Sequence, residues 1–318
     1  MKTIAFVTAL LAAASSASAQ EFPYKPLRMI VPYGPGGVTD ITARIVAPKL
    51  GDELGQPVVI ENRPGAASMP GTDAVAKAKP DGYRLLLNST ALAANPVLFR
   101  SVPYDSVKDL APVSLLATVP TVLVVHPGFS AASVNDLIAQ AKARPGTLNY
   151  GSAGNGSGNH LTTEVFMHAA GIRAQHVPYK GGGAVMADLV GGQINFVFAV
   201  LPTAHPFITS GKLRALAVTS PQRNSALPNV PTVAEAALPG FSVLEWLGVF
   251  TTAGTPAPVV ERLNAAASKA LQHPEVVARF KALGADIAGG PPARLDAYYK
   301  GELNRWATLA REVKFQVE

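Results

Sequence analysis

Leu148–Phe166 reads LNYGSAGNGSGNHLTTEVF: a short apolar strand, a turn holding Gly151, Gly154, Gly156 and Gly158, and then a helical pattern. The first amides of a helix have no intrahelical partner, and the helix dipole adds positive character there, so the turn is a candidate anion cradle worth about 0.3–2 kcal/mol before side chains contribute. Glycine lets a ligand approach the backbone closely. Two better-known chemistries miss. A dinucleotide fingerprint starting at Gly154 meets Asn159 where its last glycine belongs, and a hydrolase elbow around Ser157 meets Asn155 two positions earlier. Ser157 is therefore read as a hydrogen-bonding group rather than a nucleophile.

The same strand, glycine turn and helix recur around this stretch. Leu27–Val31 runs into Tyr33-Gly34-Pro35-Gly36-Gly37 and a helix with Thr39 and Asp40 in its first turn. Gln175–Val177 runs into Tyr179-Lys180 and three glycines, then a helix over Ala184–Val190. Pro48 and Gly51 are expected to kink or divide the first helix. Pro57–Glu61 and Tyr83–Leu87 read as strands, the latter ending at Asn88-Ser89-Thr90, with a short helix over Asp73–Lys79 between them. Alternation at this spacing predicts α/β architecture, with mainly parallel sheets covered by helices on both faces.

Val113–Val125 is a long β-branched run interrupted by Pro120, read as a strand leaving one lobe for another with a hinge near Val119 and Pro120. Helices at Val134–Ala143 and Leu161–Ala169 follow, the latter stopped by Gly171. Asn195–Val200 and Leu213–Thr219 read as the last strands of the second lobe, and a proline-rich return runs from Pro221 to Pro239. The lobes are thus expected over residues 20–119, 120–220 and, returning to the first, 221–318. In that return, helices over Pro256–Leu271 and onward to Gly284 precede a stripe of Leu295, Tyr298, Tyr299, Leu303, Trp306, Leu309 and Val313 at helical spacing, read as core. Trp246 enters an apolar strand, Leu247–Phe250, with its direction open and the cleft within its reach.

Composition narrows the function. Hydrophobic residues make up 48% of the 318 and charged residues only 15%, enough to bury a large core. The net charge is +6 and the pI near 9.5, yet there is no basic run or basic aromatic-bearing helix, so nucleic acid is a poor partner. Residues 1–19 carry a positive end at Lys2, an apolar run and Ala17-Ser18-Ala19, which predicts an export signal cleaved after Ala19. With no cysteine there is neither a disulfide framework nor a lipid-modified cysteine. A freely diffusing periplasmic monomer is expected.

Individual side chains keep two readings. Asp40 suits either a first-turn helix charge or a ligand-orienting group, and Arg44, within the helix, suits an ion pair. Lys180 can serve as a point charge or a solvated surface residue, and Tyr179 as packing or a hydroxyl contact. His160, Glu164 and His168 share a helix face, but one straight helix cannot wrap a tetrahedral metal ion, so His160 is read as a capping or hydrogen-bonding residue. No cofactor is expected.

Across nearly the whole exported portion the chain resembles the Bug family of extracytoplasmic solute receptors associated with tripartite tricarboxylate transporters. The motifs that carry the likeness are VPYGPGGVTDITAR (31–44), IENRPGA (60–66), PDGYRLLL (80–87), YGSAGNGSGNHLTTEVF (150–166), HVPYKGGGAVMADLVGGQINF (176–196) and GKLRALAVTS (211–220). The resemblance implies a two-lobed periplasmic-binding fold that closes on a small organic carboxylate through backbone amides and waters, with no catalysis. It places Tyr33, Gly34, Pro35, Gly36, Gly37, Asp40, Ser89 and Thr90 on one jaw. On the other it places Ser152, Ala153, Asn155, Gly156, Ser157, His160, Tyr179, Lys180, Ala199 and Val200. Relatives often carry a polar residue at the Val200 position, so valine there favours a less functionalised acid. The implied partners are transporter subunits, with delivery to a membrane sensor kinase as the alternative. A periplasmic hydrolase is set aside because neither a nucleophile motif nor a metal set supports one.

Overall fold

The computed structural model describes residues 21–312; the expected export signal and Val313 lie outside them. Three parallel strands start the first sheet: β2 (Val58–Asn62), β1 (Leu27–Val31) and β3 (Arg84–Asn88). Next come β9 (Leu244–Thr252), antiparallel to β3, and β4 (Leu110–Val125), antiparallel to β9, with β10 (Asp286–Ile287) on its edge. The second sheet repeats the plan. Its parallel strands are β6 (Gln175–Pro178), β5 (Asn149–Ser152) and β7 (Phe196–Val200); β4 joins β7 antiparallel and also pairs with β8 (Arg214–Val218). The sheets are therefore mixed. Each begins with the expected parallel βαβ set and is completed by the antiparallel strands that run between them.

One strand serves both sheets. β4 pairs with β9 from Leu110 to Pro120 and with β7 from Thr121 onward. Proline has no N–H for a ladder, so it is tolerated where one ladder ends and another starts. The return crossing is tied to this point, since Thr219 N–H donates to Thr121 O at 2.9 Å and Val243 N–H to Thr219 O at 3.1 Å.

Side chains alternate between cores with the two-residue period of a strand. Leu27, Met29 and Val31 enter one core of the first sheet with Leu85 and Leu87, whereas Ile30 and Leu86 enter the central core. In the second sheet Val122, Val124, Val197 and Ala199 face one way, and Leu123, Val125, Phe196 and Phe198 the other. Burial on both faces is what makes these strands read as continuous apolar runs.

Several local expectations shift. The Val38–Leu54 helix is one element through Pro48 and Gly51. Buried Ala47, Leu50 and Leu54 hold it to the core, and Gly51 lets it approach Gln56 and Pro57, where a methyl group would come within 3.2 Å of Gln56 O. The short helix expected at Asp73–Lys79 is Met69–Ala76, because Pro70 is already compatible with a first turn. Three further helices lie where the sequence pattern predicts none: Thr90–Leu98, Leu201–Thr209 and the short Val233–Ala236. Trp246 is fully buried in mid-strand, packed at 5.9–6.3 Å on Phe250, Tyr298 and Tyr299, away from any cleft. The C-terminal stripe does form core: on Pro292–Glu312, Leu295, Tyr299 and Trp306 are buried, and Tyr299 Oη donates to Ser106 at 2.5 Å in the first lobe.

Candidate functional site

The loop after β1 is shaped by Asp40. Its carboxylate accepts from the Gly36 amide (3.0 Å), Arg44 Nε (2.9 Å), Arg44 Nη2 (3.0 Å) and Asn62 Nδ2 (2.9 Å). Burial alone would raise this carboxyl, but the hydrogen bonds and the Arg44 charge outweigh it and hold it below the usual range. Asp40 is thus the buried clasp of the turn, and Arg44 its ion-pair partner. Gly34, Pro35 and Gly36 form an exposed rim, Gly36 with φ of +82°, which favours glycine.

Tyr33 leaves this loop inward. Its hydroxyl donates to Asn88 Oδ1 (2.9 Å) and shares a hydrogen bond with Ser89 Oγ (2.9 Å); burial and then the charge of Glu245 keep the phenol protonated far above its ordinary range. Asn88 is fully buried at the end of β3. It also accepts from Ser89 N–H and donates to Thr72 Oγ1 at 2.9 Å, so it fixes Ser89 and Thr90 at the start of the Thr90–Leu98 helix. Reasoning from sequence named the Asn88-Ser89-Thr90 strand end but passed over Asn88 as a site residue.

In the other jaw Gly154 and Gly156 have φ of +118° and +74°. The turn is held internally. Ser157 Oγ lies 2.5 Å from Gly154 O and 2.8 Å from Asn159 Oδ1, consistent with its reading as a donor. The same Asn159 oxygen accepts the Ala153 amide at 3.2 Å. Ser152 is fully buried, with its hydroxyl 2.5 Å from His176 Nε2. His160 is buried too, and its Nδ1 accepts the Gly156 amide at 3.2 Å, the hydrogen-bonding role read for it. Ser152 and His160 therefore stand behind the turn, while Ala153 and Ser157 are half-buried in it and Asn155 is exposed.

Behind the turn the imidazoles of His160 and His176 stack at 4.2 Å, with Tyr150 over His176 at 4.9 Å. Burial lowers His160 to about 3, with a further contribution from His176, and lowers His176 to about 4. Tyr150 hydrogen-bonds Glu164, whose carboxyl is raised by burial. His168 departs from this group and lies 4.0 Å from Glu312, so the helical row does not converge.

Tyr179 packs under Gly151, and its hydroxyl donates to Asp188 at 2.7 Å; burial first, then Asp188, push it up to about 12. Lys180 is exposed beside it. Ala199 and Val200 end β7 at the crossing, Val200 opposite Thr121 and packed on the first lobe's core.

The jaws meet at two places. A methyl group at Gly156 would come within 3.2 Å of Ala67, which with Ser68 has the left-handed φ unusual for residues other than glycine (50° and 72°). A methyl at Gly158 would lie 2.0 Å from the Glu245 carboxylate, which also accepts the Thr90 amide at 3.4 Å. Glu245 thus links the Thr90 helix start to the Gly158 helix start, with Tyr33 hydrogen-bonded to the preceding Ser89. Neither Ala67 nor Glu245 was singled out from the sequence, although IENRPGA marks the neighbourhood of the first. A surface depression of about 640 Å³ beside Arg44, Pro48, Gly51 and Val58 touches none of the glycine turns.

Known proteins share this fold. BugT of Bordetella pertussis is 42% identical over 301 residues, covering 94% of this chain and 92% of that one. The structure of Rpa4515 of R. palustris with adipate superposes with a TM-score of 0.87 at 34% identity, covering 92% of this chain and 98% of the other. MatC from Rhodopseudomonas palustris with bound malate gives 0.84 at 33%, covering 90% and 98%. Residues 42–315 match the model of the tripartite tricarboxylate transporter family receptor, and the chain belongs to that family of solute receptors.

Proposed function

We propose that this receptor, in the periplasm, captures a small aliphatic mono- or dicarboxylate between its two jaws and delivers it to the membrane subunits of a tripartite transporter. The observation that carries the reading is the convergence of two helix starts, one from each lobe. The starts of the Thr90–Leu98 and Gly158–Ala170 helices lie on the two sides of the Glu245 carboxylate, with Ser89 beside the first and Lys180 exposed in the second lobe. Helix starts hold carboxylates without a buried arginine. Adipate and malate in the two relatives are acids of this class, and the apolar Ala199 and Val200 suit an aliphatic chain better than a polar substituent.

Closure is a bend at the two crossings, where β4 changes sheets after Pro120 and Thr219 returns beside Thr121. Ligand contacts shared by both jaws shift the population toward the closed form. Micromolar affinity requires only about 8 kcal/mol, within reach of several amide contacts in an enclosed cleft.

The test is a thermal-shift screen of the refolded exported portion against aliphatic dicarboxylates, tricarboxylates, aromatic acids, acidic amino acids and phosphate esters. Stabilisation by aliphatic acids alone is expected, through mass action on the native state. A response to none of the acids would overturn the reading.

A further inference from the structure

Glu245 is a carboxyl group lodged where the two jaws meet. It lies on β9 opposite Val119, one position from the point at which β4 changes sheets, and the residue is 7% exposed. One oxygen accepts the Thr90 amide at the start of a first-lobe helix, and the other occupies the space over Gly158 at the start of a second-lobe helix. Each helix start offers its first amides, and the receptor's own acid already stands between them.

Among the described residues no cation forms an ion pair with it. From the loop after β1 comes the Tyr33 hydroxyl, from the Thr90–Leu98 helix the hydroxyls of Ser89 and Thr90, and from the C-terminal helix Tyr298 and the acidic Glu302. Arg305, the nearby base on that helix, is engaged by Glu302 at 3.4 Å and by Ser242 O at 2.6 Å. Burial raises the Glu245 carboxyl, opposed by the Ser89 and Thr90 hydrogen bonds and reinforced by Glu302.

Two carboxylates in one enclosed site cannot both be ionised cheaply, and such pairs hold a proton between them. We propose that Glu245 is a specificity-determining residue that must carry a proton for a carboxylate ligand to be held, so that the receptor recognises the anion together with a proton. The role rests on the carboxylate reading above. With the proton on Glu245, one oxygen donates to a ligand carboxylate oxygen and the other still accepts the Thr90 amide. Without it, the ligand meets a like charge. The proton comes from solvent, and no covalent bond changes.

The test is isothermal titration with adipate, and with malate as a second probe, at about pH 6.5 to 9, where both remain ionised. Affinity is expected to fall by up to tenfold per pH unit once Glu245 ionises in the free protein. In that range, titrations in two buffers of different ionisation heat should report uptake of close to one proton per ligand. Glu245→Gln, which keeps the shape and cannot ionise, should lose the slope whatever its absolute affinity. Wild-type binding that is independent of pH, with no proton uptake anywhere in the range, would overturn the role and leave the carboxylate reading intact. The wild-type measurement decides even if the variant fails to fold. Failure of every acid in the screen would instead remove the carboxylate reading, and this role with it.

Discussion

His160 Nδ1 accepts a hydrogen bond from the Gly156 amide at 3.2 Å, so a buried imidazole holds the second-lobe turn from behind. The bond needs a neutral ring nitrogen, and burial keeps both stacked rings uncharged, with a smaller contribution from His176 on His160.

Acid should therefore loosen this lobe first. Both imidazoles have folded values, about 3 and about 4, below the ordinary 6.5. A depressed histidine contributes stability that is complete above about pH 6.5 and is lost as pH falls toward the folded value, because the unfolded chain binds the protons more readily. Glu164 and Glu245, raised by burial, act in the opposite sense. Melting temperature should fall between pH 6.5 and 4, and His160→Gln combined with His176→Gln should melt lower at pH 7.5 yet fall less steeply. Parallel curves for wild type and variant would contradict this origin.

Asp40 gathers four donors in a nearly solvent-free position. Asp40→Ala removes a buried charged acceptor of four hydrogen bonds and should cost about 1–3 kcal/mol. Ligand affinity should drop at least tenfold as the Tyr33–Gly37 loop loses its shape, measured by titration alongside melting. Unchanged affinity would remove the loop from the site.

Gly156→Ala meets two obstacles. Its φ of +74° disfavours a Cβ by about 1–2 kcal/mol, and the methyl would press on Ala67 across the cleft at 3.2 Å. Small-angle scattering with saturating ligand should show less compaction than wild type. Full compaction would mean that Ala67 and Gly156 do not meet on closure.

Thr219 joins the crossings: its Oγ1 accepts the Thr121 amide at 2.9 Å. Thr219→Val orphans that buried amide, so a loss of about 1–3 kcal/mol is expected in denaturant unfolding. If the bend lies here, closing kinetics followed by stopped flow should change with it. A stability loss with unaltered kinetics would move the hinge elsewhere.

The chain order of strands and helices was legible because local patterns fix it: apolar runs bounded by glycine and proline, and three strand–glycine–helix units in succession. The loops proposed to bear the site stood out by a similar local pattern, a glycine turn before a helix, while the amides of Gly36, Ala153, Gly154 and Gly156 are taken up by neighbouring side chains. The receptor family followed from motifs spread over residues 31–220. What could not be read locally were contacts made across long separations. Asn88 reaches Thr72 and Tyr33, His176 stacks on His160, and Glu245 meets Thr90 and Gly158 only because β9 returns from the second lobe beside β4. Trp246 and Glu245 are neighbours in an apolar stretch, and sequence drew attention to the larger one. The pleat of the strand sends the tryptophan into the core and its neighbour the other way, toward the junction of the jaws. Residue type and spacing thus determined where glycine turns precede helices, and only tertiary structure, by bringing two residues 155 positions apart within hydrogen-bonding range, decided which acid stands between two of the helix starts.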